Sequence, residues 1–317
     1  MFKERILSTI QFFDLQDYPL TLLELERFLI ADTTSLIENM TEQWELKTAN
    51  YEEGEHVGVH TILACLDKDL QEQVDQHHGF YFLSGRKDIV TQRLNNYLFV
   101  IGREKLIRRY VWFLRHIPFV RGVAIGGSQA MGQQKPTSDI DLLIVTEKNF
   151  LWIARTLITF YFQVFGHRRH GRKIANRFCL NHYIAGVGYL GYGYNAYYAL
   201  EYVRFRPVVY GNTMQIFQEV NSPWIKTFFP NAEDTKKYAD SESRVQKFLE
   251  KMFKNSFGEW IEEKLQQWQL GRIRSGKFVV ADPQEISFHS QERKFALLSR
   301  FFKDQQSKDR ETEQPVA

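Results

Sequence analysis

Two aspartates one residue apart, at the head of an unbroken apolar run, constrain this chain more than any other feature. They lie in "GGSQAMGQQKPTSDIDLLIV", Gly126 to Val145. On a strand, residues i and i+2 share a face, so Asp139 and Asp141 project side by side while Ile140 and Leu142 turn the other way. The "LLIV" that follows is apolar on both faces, which makes the strand a buried one and sets the acids at its rim. Two carboxylates at that spacing repel, and each raises the other's pKa unless a cation lies between them. Hard oxygen ligands so arranged suit Mg²⁺, which takes one or two carboxylates together with substrate phosphates.

The turn upstream supplies a partner for such a pair. Gly126 and Gly127 let the backbone bend and approach a ligand closely. A helix starting near Ser128 turns free N–H groups and the serine hydroxyl toward an anion. Metal-holding acids opposite an N–H cradle are what a nucleoside triphosphate requires, and Lys135, in the intervening loop, is a further candidate phosphate contact. Each piece alone is ordinary, since Gly-Gly-Ser is a common turn and Ser-Asp a common cap. The signal is their combination at this spacing.

The 317 residues are enough for more than one domain. Net charge is +3, but residues 1–85 carry five Lys/Arg against sixteen Asp/Glu, so an acidic front precedes a basic body. The front reads as three amphipathic helices, "KERILSTIQFF", "DYPLTLLELERFLI" with Thr21 as a cap, and "HTILACLDKDLQEQV". The β-arm "HHGFYFLSG" follows. That order is winged-helix-like over 1–85, yet the third helix offers Lys68 against Asp67, Asp69 and Glu72. Phosphate contacts dominate DNA affinity, so the charge argues against DNA and for packing or dimerisation.

Residues 86–118 read as a basic helical connector with a solvated face. Over 119–190 the order strand, Gly/Ser turn, strand, helix (Asn149 to about Phe165), strand "RFCLNHYIA" predicts an α+β mixed sheet with helices on one face. Residues 191–302 read as mainly helical, with a run from Ser241 to Leu270 and one late strand at "KFVVAD". The tail 303–317 reads as flexible. "HRRHGRK", His167–Lys173, is a basic loop that meets a triphosphate or an acceptor nucleic acid, or is simply solvated. "GVGYLGYGYNAYY" is a loop or a stacking surface for a base.

"FLWIARTLITFYFQVFG" holds Arg155 and Gln163 and falls short of the ~20 apolar residues of a membrane span. The first residues lack a signal-peptide pattern. Cys65 and Cys179 match no metal spacing and fit a reducing compartment, so the expectation is a cytoplasmic protein with no membrane partner.

The stretch Gly126–Val145 is similar to the signature of the DNA polymerase β-type nucleotidyltransferase superfamily, a glycine-serine turn followed by an acid-x-acid pair on the next strand. The resemblance covers roughly Val120 to Ala185. It implies that Gly127 and Ser128 hold the β- and γ-phosphates of an NTP. It also implies that Asp139 and Asp141 bind two Mg²⁺ ions for attack of a hydroxyl on the α-phosphate, with pyrophosphate leaving.

The same resemblance implies a third carboxylate on a later strand. "RFCLNHYIA" has none; its polar residues are Asn181, a candidate metal ligand, and His182, a candidate base. They are expected on opposite faces, and both also fit a purely structural role. Glu201, in "YALEYV", is the nearest downstream acid, a helical residue that either folds back to the site or is a surface or structural one. The expected activity is therefore Mg²⁺-dependent nucleotide transfer to a hydroxyl acceptor of RNA, a small molecule or a protein. A nucleotide-binding regulator with a degraded site is the alternative, and a winged-helix DNA-binding regulator the second.

Overall fold

The computed structural model describes residues 2–31, 55–187, 196–209, 211–232, 243–273, 280–281, 284–288 and 299–301. The tail and most of the glycine-tyrosine run lie outside the described residues.

In the front unit, α1 (Phe2–Asp14) buries Ile6, Ile10 and Phe13 along one stripe. Strand β1 (Leu20–Thr21) leads directly into α2 (Leu22–Arg27). Thr21 caps that helix through a reciprocal box: its hydroxyl accepts the Glu24 N–H, and the Glu24 carboxylate accepts the Thr21 N–H. Helix α3 (Val59–Asp69) is shorter than its sequence pattern suggests, because Val74 already opens β2 (Val74–His77). The hairpin to β3 (Phe80–Leu83) turns on His78 and Gly79, at φ 52° and 78°, the left-handed pair a tight two-residue turn needs. The small antiparallel sheet runs in the order β1-β3-β2.

The connector is one 24-residue helix, α4 (Asp88–Val111), followed by a 3₁₀ turn, Trp112–His116. Next come β4 (Val120–Ile125), the single-turn α5 (Gly127–Ala130), β5 (Ile140–Thr146), α6 (Leu151–Val164) and β6 (Phe178–Ala185). Then follow α7 (Ala196–Arg204), β7 (Arg206–Val209), α8 (Asn212–Phe228), α9 (Arg244–Phe253), α10 (Ser256–Ile273), β8 (Val280–Ala281) and β9 (Glu285–Ser287). The run expected as one helix from Ser241 breaks into α9 and α10 at Lys254–Asn255, where Gly258 is essential: a Cβ there would meet the Phe253 carbonyl oxygen at 1.8 Å.

The main sheet has the order β7-β4-β5-β6-β9-β8, with β5 and β6 parallel and the other pairs antiparallel. Helices cover both faces, not one. Val123, Ile125, Leu142 and Ile144 share a core with α6 and with Ile273 of α10. Ala124, Leu143, Val145 and Ile184 share another with α7, α8 and the front unit. The apolar "LLIV" requires this, since a strand with two apolar faces is stable only between two layers.

Specific polar contacts fix the layers. Arg204 of α7 lies over the rings of Phe13, Tyr18 and Phe28, 4.7 to 5.0 Å from their centroids, and so joins the front unit to the C-terminal helices. Arg27 donates to the Val203 carbonyl at 2.8 Å. From α9, Glu250 accepts the Phe119 N–H and both terminal nitrogens of Arg121 at 2.7 to 2.9 Å. Trp152 is buried under α10, and Arg155 reaches Gln269 and faces the Tyr183 and Phe288 rings. Among the described residues no helix is long and apolar enough to cross a membrane.

Candidate nucleotide site

At the end of β4 the Gly126 N–H donates to the Asp141 carbonyl at 3.0 Å, carrying the ladder one residue past the strand. Gly127 then adopts φ +57°, and a Cβ on it would meet Asp141 Oδ2 at 2.2 Å. A Cβ on Gly126 would meet the Phe205 ring at 2.7 Å. Both glycines are thus set by close approach, Gly127 by the carboxylate itself. The helix that follows starts at Gly127, one residue before the expected Ser128, and is a single turn.

Asp139 and Asp141 stand together as their spacing requires. Asp139 Oδ2 accepts from Arg169 at 2.6 Å, and Arg169 also contacts Cys179 Sγ at 3.3 Å. Asp141 Oδ1 accepts from Asn181 Nδ2 at 3.0 Å. Burial pushes the Asp141 carboxyl up to about 7, and the charges of Asp139 and then Glu201 push the same way. Arg169 opposes them only in part.

Asp139, Asp141 and Cys179 each place a ligand atom within 4.8 Å of the others. Burial holds the Cys179 thiol far above its usual range, so it offers a protonated soft sulfur. The oxygens suit a hard divalent cation better. Asn181 adds one: its buried Oδ1 has no hydrogen-bond partner among the described residues.

The loop between the glycines and the acids is stitched from beneath. Gln134, fully buried, donates to Ser128 Oγ at 3.1 Å and to the Asp139 carbonyl at 2.9 Å. Its own carbonyl is held by Arg103, which also donates to Asn176 Oδ1 at 2.6 Å and to the carbonyls of Lys135 and Pro136 at 3.1 Å. Lys135 is exposed in this turn, with its backbone tied to Ser138.

Asn181 and His182 do not face opposite sides as a regular strand would have them. Between the pairs Asp141↔Cys179 and Leu143↔His182, β6 advances three residues against two on β5. That extra residue is a β-bulge, which rotates the strand. Both residues consequently line one cleft with Gly127, Asp141, Glu201 and Phe205. His182 Nε2 lies 3.0 Å from Glu285 Oε1, and both side chains are buried. Glu201, for which the sequence leaves both a fold back to the site and a surface or structural place open, is a wall of the cleft.

Arg103, Gln134 and Glu285 carry no motif in the sequence. Only Arg103 left a trace: it falls in the buried stripe Val100, Arg103, Ile107, Val111 of α4, where a charge is out of place. Glu285 arrives from a distant strand that only the folded topology brings beside β6.

No curated protein and no solved structure matches the chain. Residues 105–169 match the family model described as a nucleotidyltransferase domain, a span holding β4, the glycine turn, both aspartates and α6. The chain therefore carries a nucleotidyltransferase domain, in keeping with the DNA polymerase β-type superfamily.

Proposed function

We propose that the protein transfers a nucleotide from an NTP to a hydroxyl acceptor with the help of Mg²⁺. The observation that carries this reading is the packing of the Asp141 carboxylate on the bare Cα of Gly127, beside Asp139 and the unpartnered oxygen of Asn181. Asp139, Asp141 and Asn181 would hold the metal, with two ions expected. When bound, the metal lowers the barrier by neutralising charge on the attacking and leaving oxygens.

The chain's own groups do the rest. The N–H groups of Gly127, Ser128 and Gln129, at the start of the turn, have no partner among the described residues and face an incoming triphosphate. Ser128 Oγ already accepts from Gln134, so its hydroxyl hydrogen is oriented to donate to a phosphate oxygen. Arg169 neutralises Asp139 in the free chain and, being partly exposed, is placed to exchange that partner for the triphosphate. The acceptor oxygen bonds to the α-phosphorus, the bond from that phosphorus to its bridging oxygen breaks, and pyrophosphate leaves. His182, held by Glu285, and Glu201 are the groups placed to receive the acceptor's proton, the role a strand carboxylate would otherwise fill. Lys135 is a contact for the outer phosphates.

A second reading, a nucleotide-binding regulator without turnover, draws on the amide of Asn181 on the strand that should carry the third acid. The front unit, with its helix-strand-helix-helix-strand-strand order, is proposed as a winged-helix-like packing module. A cytoplasmic setting remains the proposal from cysteine usage.

The test is incubation with each NTP labelled at the α-phosphate, Mg²⁺ or Mn²⁺, and total cellular RNA or protein, beside an Asp139→Ala/Asp141→Ala variant. Label moved to a macromolecule and lost in the variant supports transfer. Aspartate-dependent NTP binding without transfer supports the regulator. No NTP binding overturns both.

A further inference from the structure

The segments 105–116 and 167–177 hold nine Lys/Arg, four in the first and five in the second, and no acid. They are far apart in sequence but lie against each other. The Tyr110 ring is 4.1 Å from the His167 ring, and Arg103 ties α4 to Asn176 at 2.6 Å. Lys105, Arg108 and Arg109 are exposed on α4, as are Arg172 and Lys173 on the loop. None of these five has an ion-pair partner among the described residues. Cations so gathered without anions repel one another and stand ready for a polyanion.

Two further observations narrow the ligand. Large aromatic surfaces stand among the charges: Trp112 is 50% exposed, Phe113 45% and Phe165 54%. Arg115 lies over Trp112, 5.2 Å from its centroid. A small phosphorylated ligand or a duplex backbone has no use for exposed rings, whereas unpaired bases stack on them. The patch also runs into the acid pair, since Arg169 of the same loop holds Asp139 at 2.6 Å. The crowding of cations is felt at His167, whose pKa is lowered by burial and then by the charges of Arg177 and Arg109.

We propose that this basic, aromatic surface binds single-stranded nucleic acid, with phosphates on Lys105, Arg108, Arg172 and Lys173 and bases on Trp112 and Phe165. Resting on the nucleotide-transfer reading, the strand's terminal hydroxyl is then the acceptor that Arg169's loop leads to the aspartates. The surface belongs to the body of the chain and leaves the acidic front unit out of nucleic-acid contact.

The test is anisotropy of a labelled single-stranded RNA, and of the matching DNA, with the full chain and no nucleotide present. Salt is varied between about 50 and about 200 mM, and each phosphate contact contributes a slope of about −0.7 in log affinity against log salt. Binding with a slope of about −3, weakened at least ~tenfold in a Lys105→Ala/Arg108→Ala/Arg172→Ala/Lys173→Ala variant, supports the proposal. The wild-type slope is read independently, should that variant not fold. Absence of binding, a flat salt response, or capture by phosphatidylserine vesicles and not by either oligonucleotide overturns it. Oligonucleotide binding by a parent chain that binds no NTP keeps the surface and removes the transfer reading.

Discussion

Gly127 and Asp141 are in such close contact that a single added carbon on the glycine would sit 2.2 Å from the carboxylate oxygen. Gly127 is also at φ +57°, where an L side chain costs about 1–2 kcal/mol. Gly127→Ala must therefore strain the turn or displace Asp141 from Asn181. The expected outcome is a stability loss of roughly 1–3 kcal/mol in denaturant unfolding, together with loss of Mn²⁺-dependent NTP binding. A variant that binds NTP as tightly as the parent would show that the close packing has no part in the site.

Asp141 is buried beside Asp139 and near Glu201, and its carboxyl is pushed up to about 7. Removing the charge removes a desolvated, repelled group while keeping its shape. Asp141→Asn should raise the stability of the metal-free chain at pH 8 by roughly 1 kcal/mol and abolish metal-dependent NTP binding. A scanning-calorimetry midpoint that falls would mean the carboxylate is structural.

The strand, the turn and the acid pair were legible because each is written locally, in periodicity, glycine and spacing. Burial on both faces was legible too, in "LLIV", although the alternation of elements suggested helices on one face. What the sequence hid was of two kinds. The β6 bulge that brings Asn181 and His182 to one cleft depends on register with β5, which no local pattern encodes. Glu285 beside His182 and Glu201 beside Asp141 depend on the chain returning from sixty residues away or more.

Arg103 is the hidden support of the site. It is buried in α4 and holds Gln134, Asn176 and two loop carbonyls, so its loss leaves the buried Gln134 carbonyl unpaired and unties three partly buried acceptors. Arg103→Met should cost roughly 2–4 kcal/mol and weaken NTP binding at least ~tenfold, since Gln134 positions both Ser128 and Asp139. Arg103→Lys should restore little, because an ammonium lacks the planar fork that reaches Nε and terminal partners together. Hydrogen exchange of Ser128 and the 133–138 backbone would show the loosening directly.

Glu262 gives the fold a pH dependence separate from the site. Its two oxygens accept the N–H groups of Trp152 and Ile153 at 2.7 Å, capping α6 from α10. Burial raises its carboxyl to about 7, against the lowering effect of those two bonds, whereas in the unfolded chain it titrates near 4.5. Between those values the folded chain keeps a proton that the unfolded chain has released, so stability falls as pH rises from about 4.5 to about 7 and is level above. Allowing for partial screening, the decline is roughly 1–3 kcal/mol. Glu262→Gln should remove this part of the slope while costing about 1 kcal/mol at pH 8, because an amide presents only one acceptor to the two donors. Asp141 contributes a decline of the same sign, so the comparison is made in an Asp141→Asn background, by urea unfolding at pH 5, 6, 7 and 8. A slope unchanged by Glu262→Gln there would show that another carboxyl carries it.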